Sequence, residues 1–107
     1  MLSFIDVIPT KETVSRTESL NILCGVVNDA DEITTDIRVW GKNNQEWRAL
    51  VTQKTFIRSQ EHKHLYFTLT SEMFSPEYWG EEVEEIEICV SDRKPKLYAR
   101  GILIFIE

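Results

Sequence analysis

Alternation of apolar and polar residues along most of this 107-residue chain constrains its fold more than any other feature. The segment Leu20–Val27 places every second residue on one face, and Lys63–Thr70 and Glu84–Val90 repeat the pattern. Because successive side chains of a β-strand point to opposite faces of a sheet, these segments are predicted to be half-buried strands. Apolar residues at helical spacing over ten or more residues are absent, which argues against alternating strands and helices. The sequence therefore predicts an all-β protein.

Seven or eight strands are predicted, at a spacing of roughly 12 residues, which suits a sandwich. We expect residues 1–107 to form a single domain, a two-sheet antiparallel sandwich. One short helical turn is predicted near residues 75–79, with Ser75 as N-cap, Pro76 at the first helical position and Gly80 as the stop. The predicted strands are Leu2–Ile8, a short piece around Val14, Leu20–Val27, Ile33–Trp40, Trp47–Ile57, Lys63–Thr70, Glu84–Val90 and Leu97–Ile106.

The order of Cys24, Trp40 and Cys89, together with the number of strands, resembles the immunoglobulin-like superfamily. The opening Ile8-Pro9 and the segment Leu20–Asn28 are similar to the first two strands of bacterial immunoglobulin-like accessory domains, in which Val-x-Asn often ends the second strand. The resemblance implies an immunoglobulin-like sandwich. True immunoglobulin domains have a disulfide between these two cysteine positions, packed on the tryptophan. The resemblance therefore also implies a disulfide between Cys24 and Cys89.

The alternation around Cys89 argues against that disulfide. Ile86, Ile88 and Val90 are predicted to face the core, so Cys89 should face the opposite side of the sheet while Cys24 faces inward. A bond between them would need a bulge that changes the register. We therefore expect the two cysteines to remain unpaired.

The charge balance excludes several classes of partner. Eighteen acidic residues stand against twelve basic ones, a formal net charge of −6. This argues against duplex nucleic acid and against anionic membrane surfaces, both of which bind mainly Lys and Arg. The longest apolar run, Gly101–Ile106, is far too short to span a bilayer. No secretory signal follows Met1, so we expect a cytoplasmic location unless the chain is cut from a longer secreted protein.

Two groups of residues resemble metal ligands, although neither completes a known motif. Asp29, Asp31 and Glu32 share one predicted loop and form a weak calcium candidate, but the spacing does not match an EF-hand. His62 and His64 share one face of a strand, a spacing found in some zinc sites, but two ligands alone bind zinc poorly. We therefore predict no metal and no cofactor.

The densest acidic run, Glu81–Glu87, is predicted to be a solvated structural feature. Glu85 and Glu87 alternate outward on one strand, where Arg38 and Arg100 of neighbouring strands are expected to face them as exposed ion pairs. A glycoside-hydrolysing pair of carboxylates would instead be held across a cleft. A nucleophile motif and a glycine-rich phosphate loop are also absent, so we do not predict an enzyme.

The last predicted strand is apolar on both faces, although a sandwich strand needs only one apolar face. Such a stripe is typical of an interaction surface. The sequence therefore predicts a non-catalytic binding or structural module that engages a protein partner or a second copy of itself. The alternative is a carbohydrate-binding accessory module that stacks sugar rings on aromatic side chains. The predicted partner interface comprises Trp40, Trp47, Ile102, Ile104 and Ile106, and the alternative carbohydrate platform comprises Trp47, Tyr66 and Trp79.

Overall fold

Eight strands form two facing sheets in a computed structural model that describes residues 1–107. One sheet has the strand order β1-β3-β6, and the other has the order β2-β8-β7-β4-β5. The prediction of an all-β two-sheet sandwich is confirmed. Pairing is antiparallel throughout, except that β2 lies parallel to β8. The strands are β1 (Leu2–Pro9), β2 (Thr13–Val14), β3 (Leu20–Asn28), β4 (Ile33–Lys42), β5 (Arg48–Ile57), β6 (His62–Leu69), β7 (Glu85–Ser91) and β8 (Ile102–Ile106).

The core lies between the sheets and includes most of the alternating residues that the sequence places inward. Burial of each such aliphatic side chain contributes about 1.5–3 kcal/mol relative to exposure. Ile33 is an exception, because it begins β4 beyond the edge of the core and remains exposed. The predicted inward residues that are buried are Leu20, Ile22, Cys24, Val26, Ile37, Val39, Leu65, Phe67, Leu69, Ile86, Ile88 and Val90.

The short helical turn predicted near residues 75–79 is confirmed, and it packs against the core. The helix α1 spans Pro76–Trp79, the Ser75 hydroxyl accepts a hydrogen bond from the Tyr78 amide (3.3 Å), and Gly80 ends the helix at φ 77°. Trp79 is buried in the core, and its indole N–H donates to the Met73 carbonyl at 2.7 Å. A 3₁₀ helix at Ser71–Phe74 precedes α1, and the sequence pattern did not predict it. Both helices have four residues, and neither is a candidate to span a membrane.

The predicted last strand is wrong in its first half, because pairing with β7 begins only at Ile102. Residues 92–101 instead form an irregular segment, here called the strap, on the outer side of the five-stranded sheet. The Lys42 ammonium donates to the carbonyls of Leu97 (3.1 Å) and Ala99 (3.2 Å), and the Trp47 indole donates to the Lys96 carbonyl (2.9 Å). The side chains of Lys42 in β4 and of Trp47 just before β5 thus bind the strap backbone, where the sequence predicted backbone pairing between strands.

The strap also changes the ion pairs expected on this face. Glu87 lies 3.8 Å from the Lys42 ammonium and accepts a hydrogen bond from the Gly101 amide at 3.1 Å. Arg38 pairs with Asp36 of its own strand at 3.5 Å. The expected pairing of Glu85 and Glu87 with arginines of neighbouring strands is therefore wrong, because Arg100 belongs to the strap and not to β8.

Candidate docking surface

Most of the predicted partner interface is buried within the chain itself. Ile104 and Ile106 belong to the core, and Ile102 packs against it. Trp40 and Trp47 are also buried. Alternation correctly placed Trp40 on the outer side of β4, but it could not show that this side is covered. The exposure on which this interface prediction depended is therefore absent.

The opposite face of β8 provides only a short apolar stripe. Leu103 and Phe105 are exposed there, as expected for a strand that is apolar on both faces. Their direct neighbours on β7 are Glu87 and Glu85, respectively. Because carboxylates adjoin both apolar side chains, this stripe is a mixed surface and not a continuous apolar one.

The three aromatics of the carbohydrate alternative do not form one platform. Tyr66 is exposed on β6, whereas Trp47 and Trp79 are buried and lie in other parts of the fold. A cation covers each tryptophan ring: Lys42 lies 4.9 Å from the centroid of Trp47, and Arg48 lies 4.9 Å from that of Trp79. Of these three aromatics, only Tyr66 is exposed enough to stack on a sugar ring.

The calcium candidate is wrong as a ligand cluster. The Asp29 carboxylate pairs with the Met1 ammonium at 2.8 Å, a hydrogen bond that holds the pKa of Asp29 below its ordinary value. Asp31 contributes its backbone carbonyl to a hydrogen bond from the buried Asn28 side chain. Three or more metal-ligating side chains do not converge here or anywhere else in the structure. His62 and His64 lie side by side, with ring centroids 4.9 Å apart, and also have no third ligand.

A row of exposed apolar side chains crosses the three-stranded sheet on the side away from the core. Ile8 of β1 lies directly opposite Leu23 of β3, which in turn lies opposite Tyr66 of β6. Their exposed fractions are 55%, 42% and 56%. The row therefore runs from one edge of this sheet to the other, and no segment of the chain covers it.

This face of the three-stranded sheet, here called the outer face, is almost free of charge. Charged residues make up 28% of the chain, yet Asp6, at the bulge of β1, is the one acidic or basic residue of this face. Charge depletion together with exposed tyrosine is typical of the centre of a protein interface. The outward positions are Ser3, Ile5, Ile8, Asn21, Leu23, Gly25, Val27, His62, His64, Tyr66 and Thr68.

A shallow depression lies at the centre of the outer face. Gly25 contributes no side chain there, and a Cβ at this position would lie 3.0 Å from both the His62 imidazole and the Ile5 side chain. β1 bulges beside it, with Asp6 at φ 50°. The resulting cavity of about 260 Å³ is lined mainly by apolar residues, together with Asp6 and His64. A protruding apolar side chain of a partner would fit such a depression.

Both cysteines are free. Cys24 of β3 faces the core, whereas Cys89 of β7 does not belong to it, as the alternation predicted. Cys24 is in the core, where burial raises the pKa of its thiol from 9.0 to about 11. Burial also raises the pKa of Cys89. Both thiols are therefore protonated at neutral pH and are poor nucleophiles.

We expect slow reaction of both thiols with Ellman's reagent at pH 8 in the native protein and release of two equivalents after unfolding. In a Cys89→Ala variant, the remaining thiol should require unfolding to react. Because the pKa of Cys24 is raised by folding, its contribution to stability is complete below pH 9 and is lost as the pH rises through about 11. Rapid native labelling of the Cys89→Ala variant would contradict the burial of Cys24.

Solved structures share this fold over the whole chain. The chain superposes on a β-glucosidase from Erythrobacter marinus with a TM-score of 0.78 and 17% identity, covering 100% of this chain and 15% of that one. For a β-glucosidase from Listeria innocua the TM-score is 0.74 and the identity 17%, with 99% of this chain and 16% of that one covered. No family model and no curated protein matches the chain.

At this level of identity, the likeness shows the fold alone. The chain spans only 15–16% of the length of these two neighbours, so most of each neighbour has no counterpart here. Membership of the immunoglobulin-like superfamily remains a prediction based on the sequence resemblance.

Proposed function

We propose that this chain is a non-catalytic sandwich module that packs through its outer face against a larger domain of the same polypeptide. The observation that supports this function is the outer face, on which Asp6 is the one acidic or basic residue, with its row Ile8–Leu23–Tyr66. Burial of this row removes apolar area from water, and Asp6 is the one carboxylate of the face whose hydration a partner would have to preserve or replace.

The size of the face favours a covalently linked partner over a second copy. Three strands about 4.8 Å apart and about 25 Å long present on the order of 400 Å². Stable complexes between separate proteins bury about 800 Å² on each partner. A covalent linkage raises the effective concentration to the millimolar range, so a smaller interface suffices. In the two β-glucosidase chains of similar fold, the matched region is only 15–16% of the length, so a module of this size is part of a much larger chain there. This supports a linked partner for the present chain.

Leu23→Lys tests this function in the natural polypeptide that contains the chain. A lysine in the centre of the interface would have to be buried without a partner, so docking should be lost. We expect calorimetry to show one melting transition for the parent protein and two for the variant. Leu103→Lys is the matched control, because Leu103 is comparably exposed but lies on the other sheet.

Two results would overturn the proposal. One is an identical calorimetric profile for the parent and Leu23→Lys, or the same separation in Leu103→Lys. The other is a natural polypeptide whose mass is that of this chain alone, 12.5 kDa, because it would contain no larger domain.

A carbohydrate-binding accessory module is a second candidate, supported by the β-glucosidase chains that share the fold. Tyr66 is the aromatic that could stack on a sugar, and the imidazoles of His62 and His64 on the same strand face could bind its hydroxyls. Affinity electrophoresis in soluble laminarin should then retard the parent chain and not Tyr66→Ala. Equal mobility with and without laminarin would exclude binding of this polysaccharide.

A further inference from the structure

The strap concentrates positive charge in an acidic protein. Residues 92–101 contain four bases and one acid, a local charge of +3 in a chain whose net charge is −6. All four basic side chains, those of Arg93, Lys94, Lys96 and Arg100, are exposed. At physiological salt, charges act over about 8 Å, so a ligand at the strap is influenced mainly by these bases and not by distant carboxylates.

The bases of the strap are only weakly engaged within the chain. Lys94 makes one long ion pair, 3.7 Å from the exposed Glu46 carboxylate, and Lys96 lies 5.8 Å from the centroid of the Tyr98 ring. Exposed pairs of this kind contribute about 0–1 kcal/mol. The side chains of Arg93 and Arg100 have no ion-pair or hydrogen-bond partner in the chain. The positive charge is therefore available to an incoming group.

Two large apolar side chains extend from the strap between these bases. Leu97 is 64% exposed and Tyr98 is 78% exposed, which makes them more exposed than the apolar residues of the outer face. Binding hot spots are enriched in Tyr, Trp and Arg, and the strap contains Tyr98 together with two arginines. The strap thus combines charge attraction with apolar contact.

The backbone that presents these side chains is held in place. Hydrogen bonds from Lys42 and Trp47 fix the carbonyls of Lys96, Leu97 and Ala99, and the Ala99 amide donates back to the Lys96 carbonyl at 2.9 Å. Binding to a loop that is already ordered loses less conformational entropy than binding to a flexible one.

We propose that the strap binds an acidic protein segment, with its bases contacting carboxylates and Leu97 and Tyr98 contacting an apolar residue between them. Four bases in a chain of net charge −6 suit a short acidic segment better than a nucleic acid, whose long run of phosphates would be repelled outside the strap. The strap lies on the outer side of the five-stranded sheet. This contact is therefore independent of the docking proposed for the outer face.

Fluorescence anisotropy with a labelled peptide of Glu-Glu-Leu repeats, about ten residues long, tests this binding. We expect the parent chain to bind this peptide at about 50 mM salt and to bind a Lys-Lys-Leu peptide of equal length at least about tenfold more weakly. The double variant Lys94→Glu/Lys96→Glu should weaken binding at least about tenfold, and Leu97→Ser/Tyr98→Ser should also weaken it.

The matched control is Lys54→Glu/Arg58→Glu, which changes the net charge equally at exposed positions outside the strap. It should alter affinity less than about twofold, because screening limits the reach of distant charges. An equal loss in this control, or no binding of the acidic peptide, would overturn the proposal. Tighter binding of a single-stranded oligonucleotide would also overturn it.

Light scattering on the same samples tests a second copy as the occupant. The Glu81–Glu87 run of another molecule could also meet the strap. A strict monomer at the concentrations used for anisotropy supports the acidic-segment proposal. Self-association that Lys94→Glu/Lys96→Glu abolishes would replace it with a contact between copies.

Discussion

Replacement of Asn28 by alanine is expected to lower the free energy of unfolding by about 3 kcal/mol. Asn28 is 1% exposed at the end of β3. Its amide nitrogen donates to the carbonyls of Asp31 (2.9 Å), Arg58 (3.1 Å) and Ile57 (3.4 Å), and its oxygen accepts from the Ala30 amide (3.0 Å). Each buried group left without a partner costs about 1–3 kcal/mol. Alanine removes all four bonds, and water can reach only the groups nearest the surface.

Urea denaturation of Asn28→Ala and Asn28→Asp measures this effect. Aspartate keeps the shape and the acceptor but loses the donors, so it separates the three donated bonds from the accepted one. Asp29→Ala is the neighbouring control, and because its ion pair is exposed, it should lower stability much less than Asn28→Ala does. Equal stability of Asn28→Ala and Asp29→Ala would contradict the structural role of Asn28.

Replacement of Gly101 by alanine should be of similar severity, about 3 kcal/mol, at the upper end for overpacked sites. A Cβ at Gly101 would lie 2.3 Å from the carbonyl oxygen and 2.8 Å from the carbonyl carbon of Ile88. These are backbone atoms of β7, so relief requires the two chain segments to separate. The pairing of Ile88 with Ile102 and the strap beside it should both loosen. Thermal melting and hydrogen exchange at the Gly101 amide would detect the change.

Gly80→Ala is the matched control for this prediction. Gly80 adopts φ 77°, but a Cβ there would meet nothing within 4 Å. Only the backbone conformation opposes alanine, at a cost of about 1–2 kcal/mol. Gly101→Ala should therefore be more destabilising than Gly80→Ala, and the reverse order would show that the close approach to Ile88 is readily relieved.

Local patterns predicted the strands and the direction of most side chains. The alternation in β3, β6 and β7 placed their core residues correctly, and opposite parity correctly separated Cys24 from Cys89. These predictions succeed because strand geometry depends on neighbouring residues alone.

Coverage of a face, by contrast, depends on segments distant in the sequence. Trp40 points outward as predicted and is nevertheless buried, and Trp47 binds a carbonyl of the strap, 49 residues further along the chain. The sequence predicts a strand over residues 97–101 of the strap, whereas the Lys42 side chain binds the carbonyls of Leu97 and Ala99 there. The row Ile8–Leu23–Tyr66 requires the registers of three strands, and the bulge at Asp6 shifts one of them. No local pattern contains that information.

The parallel pairing of β2 with β8 has a mechanical consequence. Phe105 and Glu107 donate to the carbonyls of Glu12 and Val14, and Arg16 donates back to Glu107. A force that pulls the two ends of the chain apart acts along these neighbouring strands in opposite directions, so the bonds are loaded in shear and must break together. Resistance to stretching is governed by the rate of unfolding and not by equilibrium stability. Stretching of this chain from its two ends is therefore expected to be resisted by these bonds acting together.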